Sequence, residues 1–327
     1  MWKILSFLQK NLIWTIPAMM IAGIVSGYYF DMSFMRATVM PLTFLMVYPM
    51  MVNLQIEKVF SIDGIRCQLT AQLINFCVIP FIAFGLGNYF FPDSPMIVLG
   101  LLFASLLPTS GMTISWTGFA KGNMNAAIKM TVVGLILGSL ATPLYAKWLM
   151  GEVIEMPLWK IFQSIAIVVF LPMIFGILTK RFIISRYGQE RYQKSIKKKF
   201  PMLSTVGVLG IVYVAMCLKA KSITANPAIL VEYLIPLALL YLINFVISTV
   251  VGKLFFNRGD AIAIVYGTVM RNLSIALAIA MTAFKEQGSE IAIIIAMAYI
   301  IQVQSAAWYV KFTDKIFGEA DSPKETH

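Results

Sequence analysis

Long apolar stretches follow one another along this chain, separated by short polar joints. A bilayer core about 30 Å thick needs roughly 20 predominantly apolar residues for one helical crossing. Stretches of spanning length fall at about 11–30, 33–54, 68–91, 97–120, 124–148, 158–179, 201–220, 227–252, 260–283 and 289–311. The pattern predicts an all-α polytopic membrane protein with ten transmembrane helices. An even count puts both termini on one side.

Two places break the apolar pattern. From Leu107 to Thr131 the chain reads LPTSGMTISWTGFAKGNMNAAIKMT, with Pro108 and Gly111 set among Thr109, Ser110, Thr113, Ser115 and Thr117. From Gly267 to Ser274 it reads GTVMRNLS, with Arg271 in mid-span. Inside lipid, interrupted helix is tolerated only where the freed backbone faces protein or a water-filled cavity. Paired interruptions in two halves of a chain point to a transporter's binding site.

Composition agrees with the pattern. Of 327 residues, 59% are hydrophobic and 13% charged, about half the charged share of a soluble protein. The net charge of +11 could suggest nucleic acid, but its distribution between the joints explains it better. Of the 26 Lys and Arg, 18 fall on the side of the termini and 6 on the other, so both termini are predicted to be cytoplasmic. The N-terminal stretch predicts no cleavable signal peptide. Cys67, Cys77 and Cys217 have no metal or redox spacing, and His327 is the one histidine. No metal centre, cofactor or enzyme chemistry is expected.

The ten spans fall into two sets of five, and the most basic joint, 180–200, follows the first span of the second set. An odd number per half forces opposite orientations, and the fourth span of each half is the interrupted one. The predicted organisation is two inverted five-helix repeats: residues 1–179 (helices 1–5 plus helix 6), a basic cytoplasmic loop at 180–200, helices 7–10 at 201–311, and a cytoplasmic tail at 312–327. The loop reads as a topology anchor or as a patch for anionic lipid.

Arg271 sits about halfway along its span, where charge marks a pathway or a paired site. No acid lies deep in any span, and Glu232 enters an apolar stretch. Arg271 therefore needs broken-helix carbonyls, ordered water, Glu232 or an anionic ligand. Lys129 either snorkels to the interface or, partly desolvated, supplies a titrating group. Thr109, Ser110, Thr113, Asn75, Asn272 and Ser274 are candidate neutral donors and acceptors. Asn244, Gln302 and Gln304 are further mid-span amides, some of them interhelical glue. Cys77 is read as a packed side chain in the core.

Five segments resemble the superfamily of bile acid:sodium symporters and arsenite-efflux permeases: FLMVYPMMVNLQIEKV (44–59), NFCVIP (75–80), MTISWTGFAKGN (112–123), SLATPLY (139–145) and RNLSIALAIA (271–280). The resemblance implies a panel domain of spans 1, 2, 6 and 7 and a core domain of spans 3–5 and 8–10. Discontinuous helices 4 and 9 cross in that core, with the solute between the domains. It maps one sodium site of the symporters onto Thr113, Ile114, Ala127, Thr131 and Gly267, and the other onto Asn75 and Arg271. The glutamate expected at 267 is a glycine here, and the glutamine at 271 is an arginine. Lys129 and Arg271 thus stand where sodium would, which implies a sodium-independent member with protons as candidate coupling ion. The arsenite permeases carry a cysteine where Thr109 stands, so the resemblance favours a small anionic solute over arsenite or antimonite efflux. A passive channel is the rival of another class. The partners expected are the solute, the lipid bilayer and protons.

Overall fold

The computed structural model describes residues 2–55, 64–152, 157–284 and 287–319. Among these the chain is helical: α1 (Trp2–Lys10), α2 (Leu12–Tyr29), α3 (Val39–Val52), α4 (Ile65–Leu73), α5 (Ile79–Phe90), α6 (Pro95–Leu106), α7 (Gly111–Phe119), α8 (Met124–Met150), α9 (Leu158–Ile165), α10 (Leu171–Tyr187), α11 (Gln189–Arg191), α12 (Lys199–Ala225), α13 (Ala228–Phe255), α14 (Arg258–Val269), α15 (Leu273–Ala283) and α16 (Gly288–Phe317). A 3-10 segment, Ser33–Thr38, leads into α3, and π-helical turns join α4 to α5 and α9 to α10. The π turn Ile74–Val78 admits Pro80 at the second position of α5, where its missing N–H costs little.

Among the described residues, seven helices, counting these joined pairs as one, are long and apolar enough to cross a membrane, or eight if the bent pair at the N-terminus is one span. The stretches predicted at 97–120 and 260–283 are each divided in two, α6/α7 and α14/α15, so neither is a continuous span. Trp14, Trp148 and Trp159 are exposed near helix ends, where interfacial aromatics lie; Trp308 is exposed too, but nine residues short of the end of α16.

The helices pack in two neighbourhoods. α12 lies along α2 and α3, with α10 against α3; α14 contacts α4, α7, α8 and α13, while α16 contacts α6, α13 and α15. Ser204 of α12 donates to the Met46 carbonyl of α3 (2.5 Å), a buried interhelical bond. Arg258, at the start of α14, donates to the carbonyls of Ala120 and Lys121 just beyond α7, to that of Gly318, and to the Asp314 carboxylate. One guanidinium thus closes the C-terminal ends of α7 and α16.

Two expected boundaries change. The segment 180–200 is helical over most of its length: α10 runs on to Tyr187, α11 and a π turn follow, and α12 begins at Lys199. Tyr192 is buried and donates from its hydroxyl to the Val52 carbonyl and the Asn53 side chain (3.1 Å each), while Asn53 donates to the Lys197 carbonyl (2.9 Å). Its basic side chains project from a folded cap over the end of α3, which charge counting alone did not reveal. The last helix continues to Phe317, so residues 312–317 are not tail. Residues 320–327, with His327, lie outside the described residues.

Candidate functional site

The two interruptions meet. Pro108 and Arg271 face each other as an isolated antiparallel β-bridge. Thr109 N–H donates to the Met270 carbonyl (2.7 Å), and Asn272 N–H donates to the Leu107 carbonyl (2.7 Å). Each break therefore supplies the backbone partners that the other lost, as burial away from water requires. Thr109 adopts φ 66°, a left-handed conformation uncommon for a residue with a side chain. Its hydroxyl reaches the carbonyls of Pro108 (2.6 Å), Met130 (3.1 Å) and Thr131 (3.3 Å).

Residue 271's own amide and carbonyl point to the opposite edge, where Gln302 of α16 takes both. Its Oε1 accepts from Arg271 N–H (2.7 Å) and from the Tyr241 hydroxyl (2.9 Å), and its Nε2 donates to the Arg271 carbonyl (3.2 Å). A side-chain amide here does the work of a third strand. With the backbone held on both edges, the Arg271 side chain is left without a partner among the described residues: Nη1 and Nη2 make no hydrogen bond, and the residue is 3% exposed. Glu232, the candidate counter-charge, is exposed on α13.

Arg271 lines a cavity of about 340 Å³. Ser110, Gly111 and Met112 at the start of α7, and Asn272, Leu273 and Ser274 at the start of α15, line the same space. Both starts are capped: Ser110 Oγ accepts from Met112 N–H (3.2 Å), Thr113 Oγ1 from Ser110 N–H (3.1 Å), and Asn272 Oδ1 from Ile275 N–H (3.3 Å). Helix starts carry partial positive charge, so two of them and a guanidinium share one cavity. Met50, Met51 and Val208 form the opposite wall, from α3 and α12. The cavity therefore lies between the two helix neighbourhoods and reaches Gln9, Asn53 and Lys197.

Of the residues singled out from the sequence, Ser110, Thr131, Arg271, Asn272 and Ser274 line the cavity. Asn75, Thr109, Thr113 and Lys129 do not. Asn75 is fully buried and donates to the Gly267 carbonyl (3.0 Å), and Thr109 and Thr113 hold the first break as described. Lys129 is 9% exposed and does not line the cavity, whereas Ile128, Thr131 and Val132 of the same helix do. The expectation that Cys77 packs in the core is corrected: it is exposed, because it falls on the same side of its helix as the outward-facing Leu73 and Leu69. Missed from the sequence were Tyr299, whose hydroxyl bonds that of Ser274, and the holding role of Gln302. Asn244 is interhelical, donating to the Thr268 carbonyl (2.9 Å), whereas Gln304 is exposed.

α8 receives the first break through Gly134 and Gly138. A Cβ on Gly138 would stand 2.8 Å from Pro108 Cδ and 3.2 Å from the Leu106 carbonyl, and one on Gly134 would stand 3.1 Å from the Pro108 carbonyl. Small residues four apart are how membrane helices admit close backbone approach. Gly138→Ala is expected to destabilise the protein by about 1–3 kcal/mol through overpacking. Thermal unfolding in detergent would measure it, and an unchanged midpoint would contradict the packing described.

A bundle of apolar helices, broken twice around a buried cavity, is the architecture of a multi-pass membrane transporter. The profile of the Sodium Bile acid symporter family matches residues 40–226, more than half of the chain, and the chain belongs to that family. It is a transporter and not an enzyme. An uncharacterized protein, YbaS of Bacillus subtilis, is 24% identical over 220 residues, covering 67% of this chain and 70% of its own length. The arsenical-resistance protein Acr3 of Corynebacterium glutamicum is 22% identical over 251 residues, 73% of this chain and 68% of that protein. The sodium/bile acid cotransporter 7-B of Xenopus laevis is 24% identical over 194 residues, 57% and 54% of the two chains.

Proposed function

We propose that this chain is a secondary active transporter that moves a small anionic solute by alternating access, without sodium. The observation that carries the reading is Arg271, a buried guanidinium with unpartnered Nη1 and Nη2, on the wall of a cavity that also receives two helix starts. An unpaired buried charge costs several kcal/mol, and an anionic solute would offset that cost. In the ten-span reading, α6/α7 and α14/α15 are the fourth and ninth spans, two inverted repeats place them oppositely, and α2, α3, α10 and α12 form the panel. With the termini cytoplasmic, the cavity described here is the inward-facing one.

Sodium independence has its own support. The Gly267 carbonyl accepts from Asn75, and Thr113 and Thr131 are bonded within the breaks and helices. A side chain at position 267 would collide with the Met130 sulfur. Groups that would ligate sodium in the symporters are thus engaged with protein. Lys129 is proposed to replace one sodium charge and to carry any proton coupling. Arsenite efflux is disfavoured: Thr109 turns its hydroxyl to backbone carbonyls, and no cysteine is among the described residues that line the cavity.

Purified protein in proteoliposomes tests the proposal. Counterflow of small organic anions is expected to proceed equally in sodium and in choline buffers. Strict dependence on a sodium gradient would overturn the ion-replacement reading, and counterflow of arsenite alone would overturn the anion. Flux that stays passive under every ion gradient would favour a channel.

A further inference from the structure

α4 and the π turn that follows it carry a second line of polar groups that the cavity does not touch. Gln68, Gln72 and Asn75 recur at i, i+4 and i+7 and so share a helix side. Among the described residues, neither nitrogen nor oxygen of the Gln68 and Gln72 amides has a hydrogen-bond partner, and Asn75 Oδ1 has none either, although these atoms are buried. None of the three lines the central cavity. Burial deepens along the line: Arg66 is exposed, Gln68 partly buried, Gln72 9% exposed and Asn75 fully buried. The line runs beside α14, since Cys67 Sγ lies 3.7 Å from the Asp260 carbonyl at its lower end and Asn75 bonds the Gly267 carbonyl at its upper end. Asp260 itself stands in the first turn of α14, its carboxylate accepting from Asn123 (2.7 Å) and Asn257 (3.1 Å).

Orphaned amides in a buried place call for a partner that both donates and accepts. A metal ion would match the oxygens and leave the NH2 groups bare. Water matches both. Positions four and three apart on a helix rise by about 6 and 4.5 Å, within the reach of two hydrogen bonds of about 2.9 Å, so one water bridges successive amides. We propose that Gln68, Gln72 and Asn75 hold a file of waters entering from the Asp260 end, a second aqueous route behind the paired breaks. The file delivers solvent, and with it protons, to the contact of Gly267 in α14 with Met130 in α8 without passage through the central cavity. It does not depend on the identity of the solute.

The test uses full-length protein in which Cys67, Cys77 and Cys217 are changed to serine. Gln72→Cys in open membrane fragments is treated with a membrane-impermeant cationic methanethiosulfonate. The expected rate is within roughly tenfold of exposed Gln193→Cys and roughly 100-fold above dry, buried Leu99→Cys, because thiol reactivity follows access. A rate no faster than that of Leu99→Cys overturns the file. Adding Gln72→Leu is expected to cut labelling of Asn75→Cys at least tenfold, since the file passes residue 72; unchanged labelling overturns the route. Gln72→Leu in the otherwise unaltered protein supplies a third reading independent of labelling. If the amide is solvated, the unfolding midpoint stays or falls; if it is dry, leucine raises the midpoint and the proposal fails.

Discussion

Replacing Arg271 by glutamine will do two opposite things: weaken binding of the transported anion and stabilise the protein that has no solute. A hydrogen bond to a charged group contributes about 1.5–3 kcal/mol, so loss of the guanidinium should weaken binding roughly 10- to 100-fold. The same change removes an unpaired buried charge, which should raise the thermal midpoint of the empty protein by a few degrees. Binding isotherms and thermal unfolding of one sample read both effects. A residue that only capped broken-helix carbonyls would move them otherwise: its loss would lower the midpoint and leave affinity alone. Arg271→Lys separates charge from shape, since an ammonium keeps the charge and loses the planar fork.

Gln302→Leu should act on the break itself. It strands the amide and carbonyl of Arg271 and the hydroxyl of Tyr241, all in buried surroundings. Buried unsatisfied groups cost about 1–3 kcal/mol each, and interhelical bonds in membranes average less, so a total near 2–5 kcal/mol is expected. Transport should fall by more than tenfold, because Arg271 loses the scaffold that aims it. Gln302→Glu is the informative companion. It keeps the acceptor for Arg271 N–H and Tyr241 but brings a carboxylate into the cavity that holds the guanidinium, so the protein should fold and bind anions poorly. An unchanged midpoint and unchanged uptake in Gln302→Leu would refute the positioning role.

The positions of these elements were legible in hydropathy, because lipid leaves a crossing helix little compositional freedom. The two breaks were equally legible, as Pro108 with Thr109, Ser110 and Gly111, and as Arg271 with Asn272. Their mutual pairing was not. It depends on backbone atoms, which every residue carries, and no side chain announces it. Gln302 was named from the sequence only as one mid-span amide among several; its distinction comes from which backbone it faces. Helix phase was not legible at Lys129, since Ile128 and Thr131 of the same stretch of α8 line the cavity and Lys129 does not. Cys77 failed for the same reason, helix phase. The segment 180–200 was read as loop because its charge outweighed its helical continuity, and Tyr192, the side chain that folds it down, is a single aromatic among basic residues.

The paired breaks also bear on how the protein is made. Leu107 and Thr109 enter the membrane long before Met270 and Asn272 have been synthesised, yet their backbone partners are those later residues. Until then the carbonyl of Leu107 and the amide of Thr109 must be kept by water, by the insertion machinery or by an unbroken provisional helix. The first arm reaches its final shape only when the last quarter of the chain arrives, so a nascent chain halted before Met270 should remain open to proteolysis at Pro108–Thr109.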